Sequence, residues 1–234
     1  MSQPLRPHMN IAVVILFVLM LVIMYRQYQH SILYRADSKA RIFNDCFALL
    51  KDAKQQVDQA NLPVIKGEFS GYKVSLSVVE DTLGWRKVPP LWLLIKFEAN
   101  TQIAGTLDYI VRPSNSEFYS PAWQWNGNLE VPKKWPQHAI LKFKDEIVDL
   151  NLIDAFIPTL FKDHRAKELL ITPNMTRFTY MVKQAERGEY LIMRNAIYEN
   201  SPISPNVVGD LLNQLLVIQQ QLENNQLSQM NKAA

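Results

Sequence analysis

The chain has 234 residues, with 25 Lys and Arg against 22 Asp and Glu, a formal net charge of +3 and one cysteine. So small an excess, spread without a basic stripe, excludes a nucleic-acid binder that works by neutralising many phosphates. A single cysteine excludes an intrachain disulfide, and seven scattered glycines form no phosphate-cradling loop.

Residues 1–9 read as a short N-terminal tail and residues 10–28 as one membrane anchor. From Ile11 to Tyr25 no side chain is charged or strongly polar. The run covers ~22 Å of helix against a bilayer core of about 30 Å. Met9, Asn10 and a snorkelling Arg26 can lengthen it. Tyr25 and Tyr28 stand where an interfacial aromatic belt is expected. A cleavable signal peptide needs small residues after the apolar run, whereas "YRQYQHSILYRADSKA" is bulky and basic. Arg26, Arg35, Lys39 and Arg41 follow the span and only Arg6 precedes it. This bias places the N-terminus outside and the main domain in the cytoplasm, on the inner membrane if the source is bacterial.

Residues 29–63 read as a juxtamembrane helix continuing from the anchor, a stalk that becomes part of the domain. Ile42, Phe43, Cys46, Phe47, Leu50, Ala53 and Val57 recur at spacings of three and four, which makes one apolar stripe. Pro63 ends it.

Residues 64–223 read as a globular domain. "GYKVSLSVVED" alternates as a half-buried strand does, and "PLWLLIKFEA" is a nearly continuous apolar run suited to a central strand. "GTLDYIVRP" and "HAILKFKD" are two more strands. The first three leave no room for helices between them, so antiparallel pairing is expected. "NLIDAFIPTLF" reads as a short helix limited near Pro158. "KELLITP", "RFTYMVKQ" and "EYLIMRNA" form a second set of strands, with "ERG" as the hairpin turn between the last two. The final helix opens at Ser204 and Pro205. It buries Val208, Leu211, Leu212, Leu215, Ile218 and Leu222. Residues 224–234 read as a polar, disordered tail. The fold class is therefore α+β: an N-terminal transmembrane helix running into an amphipathic stalk helix, then mainly antiparallel strands with a C-terminal helix packed on them.

No catalytic motif is found. In "GEFSG" the serine falls one place late for a nucleophile elbow. Cys46 lies on an apolar stripe, where a thiol acts as a small hydrophobe. His8, His30, His138 and His164 stand at no metal-ligand spacing, and neither cofactor nor metal is expected. Asp163-His164-Arg165 reads as a solvated charged loop. What is unusual is aromatic. "EFYSPAWQWNGNLEVPKKWP" carries Trp123, Trp125, Lys133, Lys134 and Trp135, and "LGWRKVPP" carries Trp85, Arg86 and Lys87. Amphipathic rings beside cations suit contact with a protein partner or a membrane surface; the alternative is that these loops fold back over the sheet. The expectation is a single-pass protein with a non-enzymatic cytosolic binding or scaffold domain inside a membrane-protein complex, bound to the bilayer through residues 10–28. The alternatives are an exported-domain assembly factor of a secretion or pilus-like machine and a membrane-tethered hydrolase with a dispersed site.

Overall fold

The structure is a computed structural model that describes residues 7–82, 88–99, 101, 103–114, 117–188, 190 and 196–233, without the side chains of 7–12, 30–38 and 225–233. The chain divides into two units, Met1–Arg41 and Ile42–Ala234.

The first unit is one helix, α1 (Pro7–Ala40). Its large apolar side chains from Val13 to Tyr25 point outward on every side, between 48% and 73% exposed. Among the described residues no helix is long and apolar enough to cross a membrane, so the span expected over residues 10–28 is not met there. The described apolar side chains, Val13 to Tyr25, cover only ~20 Å of helix axis.

The second unit holds the sheet. The helix expected over 29–63 stops at Ala40. It is replaced by a 3-10 helix (Asn44–Leu49) and by strand β1 (Lys51–Val57). Burial follows the expected stripe only as far as Leu50: Phe47 and Ala53 are partly buried and Val57 is 67% exposed. Ile42, Phe43, Cys46 and Leu50 are buried as the stripe requires. After Leu50 the chain pairs with β2 instead of coiling.

The remaining strands are β2 (Pro63–Phe69), β3 (Tyr72–Glu80), β4 (Pro90–Glu98), β5 (Thr106–Val111), β6 (Gly127–Leu129), β7 (Ala139–Lys144), β8 (Ala166–Thr172) and β9 (Met175–Gln184). All pair antiparallel in one nine-stranded sheet, in the order β1-β2-β3-β4-β9-β8-β5-β7-β6. The two strand sets thus share a sheet, joined where β4 pairs with β9 from Pro90↔Gln184 to Glu98↔Met175. Phe69 pairs with Tyr72 across a two-residue turn. Ser70 (φ 50) and Gly71 (φ 87) both take the left-handed conformation that such a hairpin demands. Between β7 and β8 lie a 3-10 turn (Leu150–Leu152) and the single-turn helix α2 (Ile157–Leu160). Of "EYLIMRNA", only Tyr190 and Ala196 fall within the described residues. Arg187, Gly188 and Tyr190 are helical there, so "ERG" is not a hairpin turn.

The last helix, α3 (Pro205–Ala233), continues past Asn224, where the sequence pattern suggests a polar tail. Its expected face is buried at every position, Val208, Leu211, Leu212, Leu215, Ile218 and Leu222. It packs against one face of the sheet, built from Leu91, Leu93, Ile95 and Phe97 of β4 with Tyr109, Phe178 and their neighbours. The opposite face carries Trp92 and Leu94 of β4, Asp108 and Ile110 of β5, Glu168 and Leu170 of β8, and Arg177 and Thr179 of β9. These are also buried or nearly so. A sheet covered on both sides explains why β4 reads as a nearly continuous apolar run.

Candidate functional site

The second cover is the segment between β5 and β6, residues 112–126, here called the cap. It contains a 3-10 turn, Pro121–Gln124, that starts with Pro121 and is capped by the Ser120 hydroxyl accepting from the Ala122 N–H. Two buried charge clusters fasten the cap to the sheet.

In the first cluster, Lys167 Nζ lies 2.6 Å from Glu117 Oε1, with the two side chains 6% and 1% exposed. Lys167 also donates to the Arg112 carbonyl at 2.7 Å. The Ser114 N–H and hydroxyl both donate to Glu117 at 2.7 Å. Burial pushes the Glu117 carboxyl up, but the bonds from Lys167 and Ser114 outweigh it and leave the group below the usual range. Arg112 turns the chain into the cap with φ 47. Its guanidinium donates to the carbonyls of His164 and Ala166, bonds that hold this sparsely populated conformation.

In the second cluster, Arg177 Nη2 donates to both oxygens of Glu168, at 3.0 and 3.1 Å, and to the Tyr119 carbonyl of the cap at 3.0 Å. The Thr179 hydroxyl donates to Glu168 at 2.5 Å. The Ser120 hydroxyl donates to Asp108 Oδ2 at 2.6 Å. Asp108 and Glu168 are both 0% exposed, and a single guanidinium serves the two of them. Burial first, and the Glu168 charge second, push the Asp108 carboxyl well above the usual carboxylate range; Ser120 and Arg177 only partly offset this. Three polar atoms here, Asp108 Oδ1, Arg177 Nε and the Tyr119 hydroxyl, are buried without a partner.

Beside the first cluster, at the ends of β4, β8 and β9, opens a cleft of about 340 Å³ whose lining includes Asp81, Trp92, Arg112, Ser114, His164 and Lys167. The Ser114 hydroxyl already donates to a carboxylate whose lowered basicity makes it a poor general base. The His164 side chain is 86% exposed beside Asp163. Asp163 itself accepts from Arg165 at 2.8 Å and from the Tyr180 hydroxyl at 2.6 Å. These bonds hold its carboxyl far below the ordinary range despite the opposing effect of burial. The triplet Asp163-His164-Arg165 is an ion-paired turn. Among the described residues no cluster of His, Cys, Asp and Glu could hold a metal ion. Cys46 is fully buried, its thiol donating to the Ile203 carbonyl at 3.5 Å.

The aromatic residues singled out in the sequence are placed as follows. Trp135 is in the core, 2% exposed. Its indole N–H donates to Asp154 at 2.8 Å, and its ring meets Tyr109 edge-on at 5.0 Å. Lys133 and Lys134 beside it are exposed. Trp125 is half-buried, with its carbonyl accepting from Lys142 at 3.0 Å. Trp123 is 38% exposed on the outer side of the cap and neighbouring Phe118 is 52% exposed. The Trp123 indole N–H donates to the Glu117 carbonyl at 3.1 Å, and Lys142 Nζ sits 5.7 Å from its ring centre. Trp85, Arg86 and Lys87 lie outside the described residues. The structure thus gathers Phe118, Trp123 and Trp125 on the cap, with Lys142 of β7 beside Trp123 and Trp125. Sequence reasoning missed Phe118 and Lys142, and with them the clusters at Asp108, Glu117, Lys167, Glu168 and Arg177. The available signal was a charge inside each apolar run, Asp108 in "TLDYIV" and Glu168 in "KELLIT".

No family model and no curated protein sequence matches the chain. Among solved structures, the crystal structure of the mycobacterial trehalose monomycolate transport factor A is similar at a TM-score of 0.37. Its identity is 12%, over 76% of this chain and 75% of that one. So distant a likeness says nothing of what this chain binds or does.

Proposed function

We propose that the chain is a non-enzymatic binding module held at a membrane by α1, and that the outer surface of the cap contacts a protein partner within a membrane-protein complex. One observation carries this reading. The cap is fastened by two buried charge clusters, yet it leaves Phe118 and Trp123 in solvent. Rings held out by a rigid support lose little entropy on binding, and aromatic residues dominate interface energetics. Lys142 beside Trp123 adds a cation at the rim. Membrane attachment rests on the apolar side chains that α1 exposes on all sides from Val13 to Tyr25; a helix of that kind belongs in an apolar medium. The excess of Arg26, Arg35, Lys39 and Arg41 over Arg6 favours a cytoplasmic domain.

The test is affinity capture of the full chain from detergent, with the Phe118→Ser and Trp123→Ala variants beside it. The expected result is a specific protein lost from both variants, with affinity weakened by ~1–2 kcal/mol or more each and an unchanged melting temperature. Capture that is indifferent to both substitutions overturns the reading. Resistance to carbonate extraction, and silence of an export-dependent reporter fused at Ala234, are the expected results for anchor and orientation. Release by carbonate or an active reporter overturns the respective claim.

A further inference from the structure

The contact surface is mounted over a charge arrangement that does not balance. Under the cap, Lys167 answers Glu117 and Arg177 answers Glu168; Asp108 remains. It sits on β5, next to β8, and its hydroxyl partner Ser120 belongs to the cap. Among the described residues, the cations on the elements around it are already committed. On β8 stand Glu168 and Lys167, the latter committed to Glu117 and the Arg112 carbonyl. On β9 stands Arg177, shared with Glu168 and the Tyr119 carbonyl. On β7, Lys142 is opposite Asp108 in register, but its ammonium reaches out to the Trp125 carbonyl and over the Trp123 ring. On β4, Lys96 pairs with Glu98. From the cap come only Glu117 and the Tyr119 hydroxyl, and Asp81 adds one more negative charge in the neighbourhood of Tyr119.

We propose that Asp108 is a proton-operated catch for the cap: with its carboxyl protonated the segment 117–125 lies closed on the sheet, and with Asp108 and Glu168 both ionised the segment lifts. With Asp108 neutral, the closed form holds two balanced ion pairs, Lys167–Glu117 and Arg177–Glu168, and one neutral acid. Ionisation adds a second carboxylate in a space where, among the described residues, every cation is already committed, and that charge needs water. Water cannot come through the sheet, because Leu107, Tyr109 and Phe178 fill the opposite face at 0% exposure and Leu169 at 1%. It enters where Ser120 and the Tyr119 carbonyl now sit. The orphaned Asp108 Oδ1, Arg177 Nε and Tyr119 hydroxyl are the first groups it would solvate.

The sign follows from linkage. Closure raises the carboxyl above its value in the open form, so the closed form binds more protons between the two values. Closure is strongest below the open-form value and weakens as pH rises towards the closed-form value, by about tenfold in the equilibrium constant per pH unit. The catch regulates the contact surface proposed above and rests on that reading for its purpose, but its test requires no partner.

The experiment is amide hydrogen exchange of the full chain in detergent micelles across a pH series, corrected for intrinsic base catalysis, with Asp108→Asn in parallel. Asn keeps an acceptor for Ser120 and a donor for Glu168, and it cannot ionise. The expected result is that wild-type exchange at 117–125 rises about tenfold per pH unit over the transition, while β4 and α3 stay protected and the Asn variant stays closed throughout. Exchange at the cap that does not respond to pH, or that responds equally in the variant, overturns the proposal. If the variant does not fold, carbon-13 titration of the wild-type Asp108 carboxyl decides. A midpoint where cap exchange starts to level off supports the catch, and a carboxyl already ionised in the closed form overturns it.

Discussion

Replacing Lys167 by Met strands Glu117 in the interior. The pair is 2.6 Å apart with both side chains almost wholly buried. At that separation the attraction is ~6 kcal/mol at an effective dielectric constant of ~20, most of which offsets the desolvation of the two charges. The intact pair is therefore worth little more than a well-packed apolar substitute, whereas one partner left alone is costly. In the variant, Glu117 keeps the two Ser114 donors, and the Arg112 carbonyl loses its ammonium donor. The expected loss is ~3–5 kcal/mol at neutral pH. The double variant Lys167→Met, Glu117→Gln removes both charges and should return to within ~1 kcal/mol of wild type. Urea unfolding of wild type, both single variants and the double variant gives the coupling energy. pH gives an independent check. In wild type the depressed Glu117 carboxyl contributes stability that is present above its unfolded value and lost as pH falls through the folded value. In Lys167→Met the same carboxyl is raised by burial, so acid relieves the variant and the two stability curves converge as pH falls. Single-variant costs that add to the double-variant cost within ~0.5 kcal/mol would refute the reasoning.

Leu212→Ala removes a fully buried α3 side chain from the centre of the core and should lower unfolding free energy by ~2–5 kcal/mol, read as a shift in urea midpoint at constant slope. Burial first, and the Asp45 charge second, push the Cys46 thiol up to about 11. A thiol reagent at pH 8 should leave it unmodified until denaturant unfolds the sheet, and fast labelling of the native protein would show that the 3-10 turn opens locally.

Residues that face only one environment were the easiest to read. The α3 stripe is buried at every expected position because each repeat of Val208, Leu211, Leu215, Ile218 and Leu222 looks at the same sheet. Strands β3, β4, β5, β7, β8 and β9 stand where alternation or an apolar run places them. The stretch after Ala40 misled for a physical reason. A 3-10 turn preserves the three-residue spacing of Phe43 and Cys46, so that pair fits both helices, and Leu50 is buried as extended chain beyond the turn. Strand β1, "KDAKQQV", has almost no strand propensity of its own and is exposed along nearly its whole length. It is a strand because β2 offers it an edge. Strand β2 was concealed by Gly67, a weak strand residue that is needed here. A Cβ at that position would lie 2.8 Å from the Lys51 carbonyl oxygen and 2.9 Å from Leu50 Cβ.

The cap was harder to foresee because its meaning depends on register, which no local pattern encodes. Asp108 in "TLDYIV" and Glu168 in "KELLIT" mark the face of the sheet that must be sealed, but only the pairings Ile110↔Glu168 and Leu170↔Arg177 bring two acids to one guanidinium. Burying them is worthwhile only if something covers them and supplies donors, and the cap does both through Ser120 and the Tyr119 carbonyl. A cover needs nothing on its outer side beyond polar residues, however. Phe118, 52% exposed, forgoes roughly half of the ~1.5–3 kcal/mol of full burial, and Trp123, 38% exposed, a smaller share. Sealing explains the inner surface of this segment; on its outer surface Trp123 is held by the Glu117 carbonyl and Lys142, and Phe118 stays 52% exposed. The proposed partner contact would supply a cause for the exposed ring of Phe118.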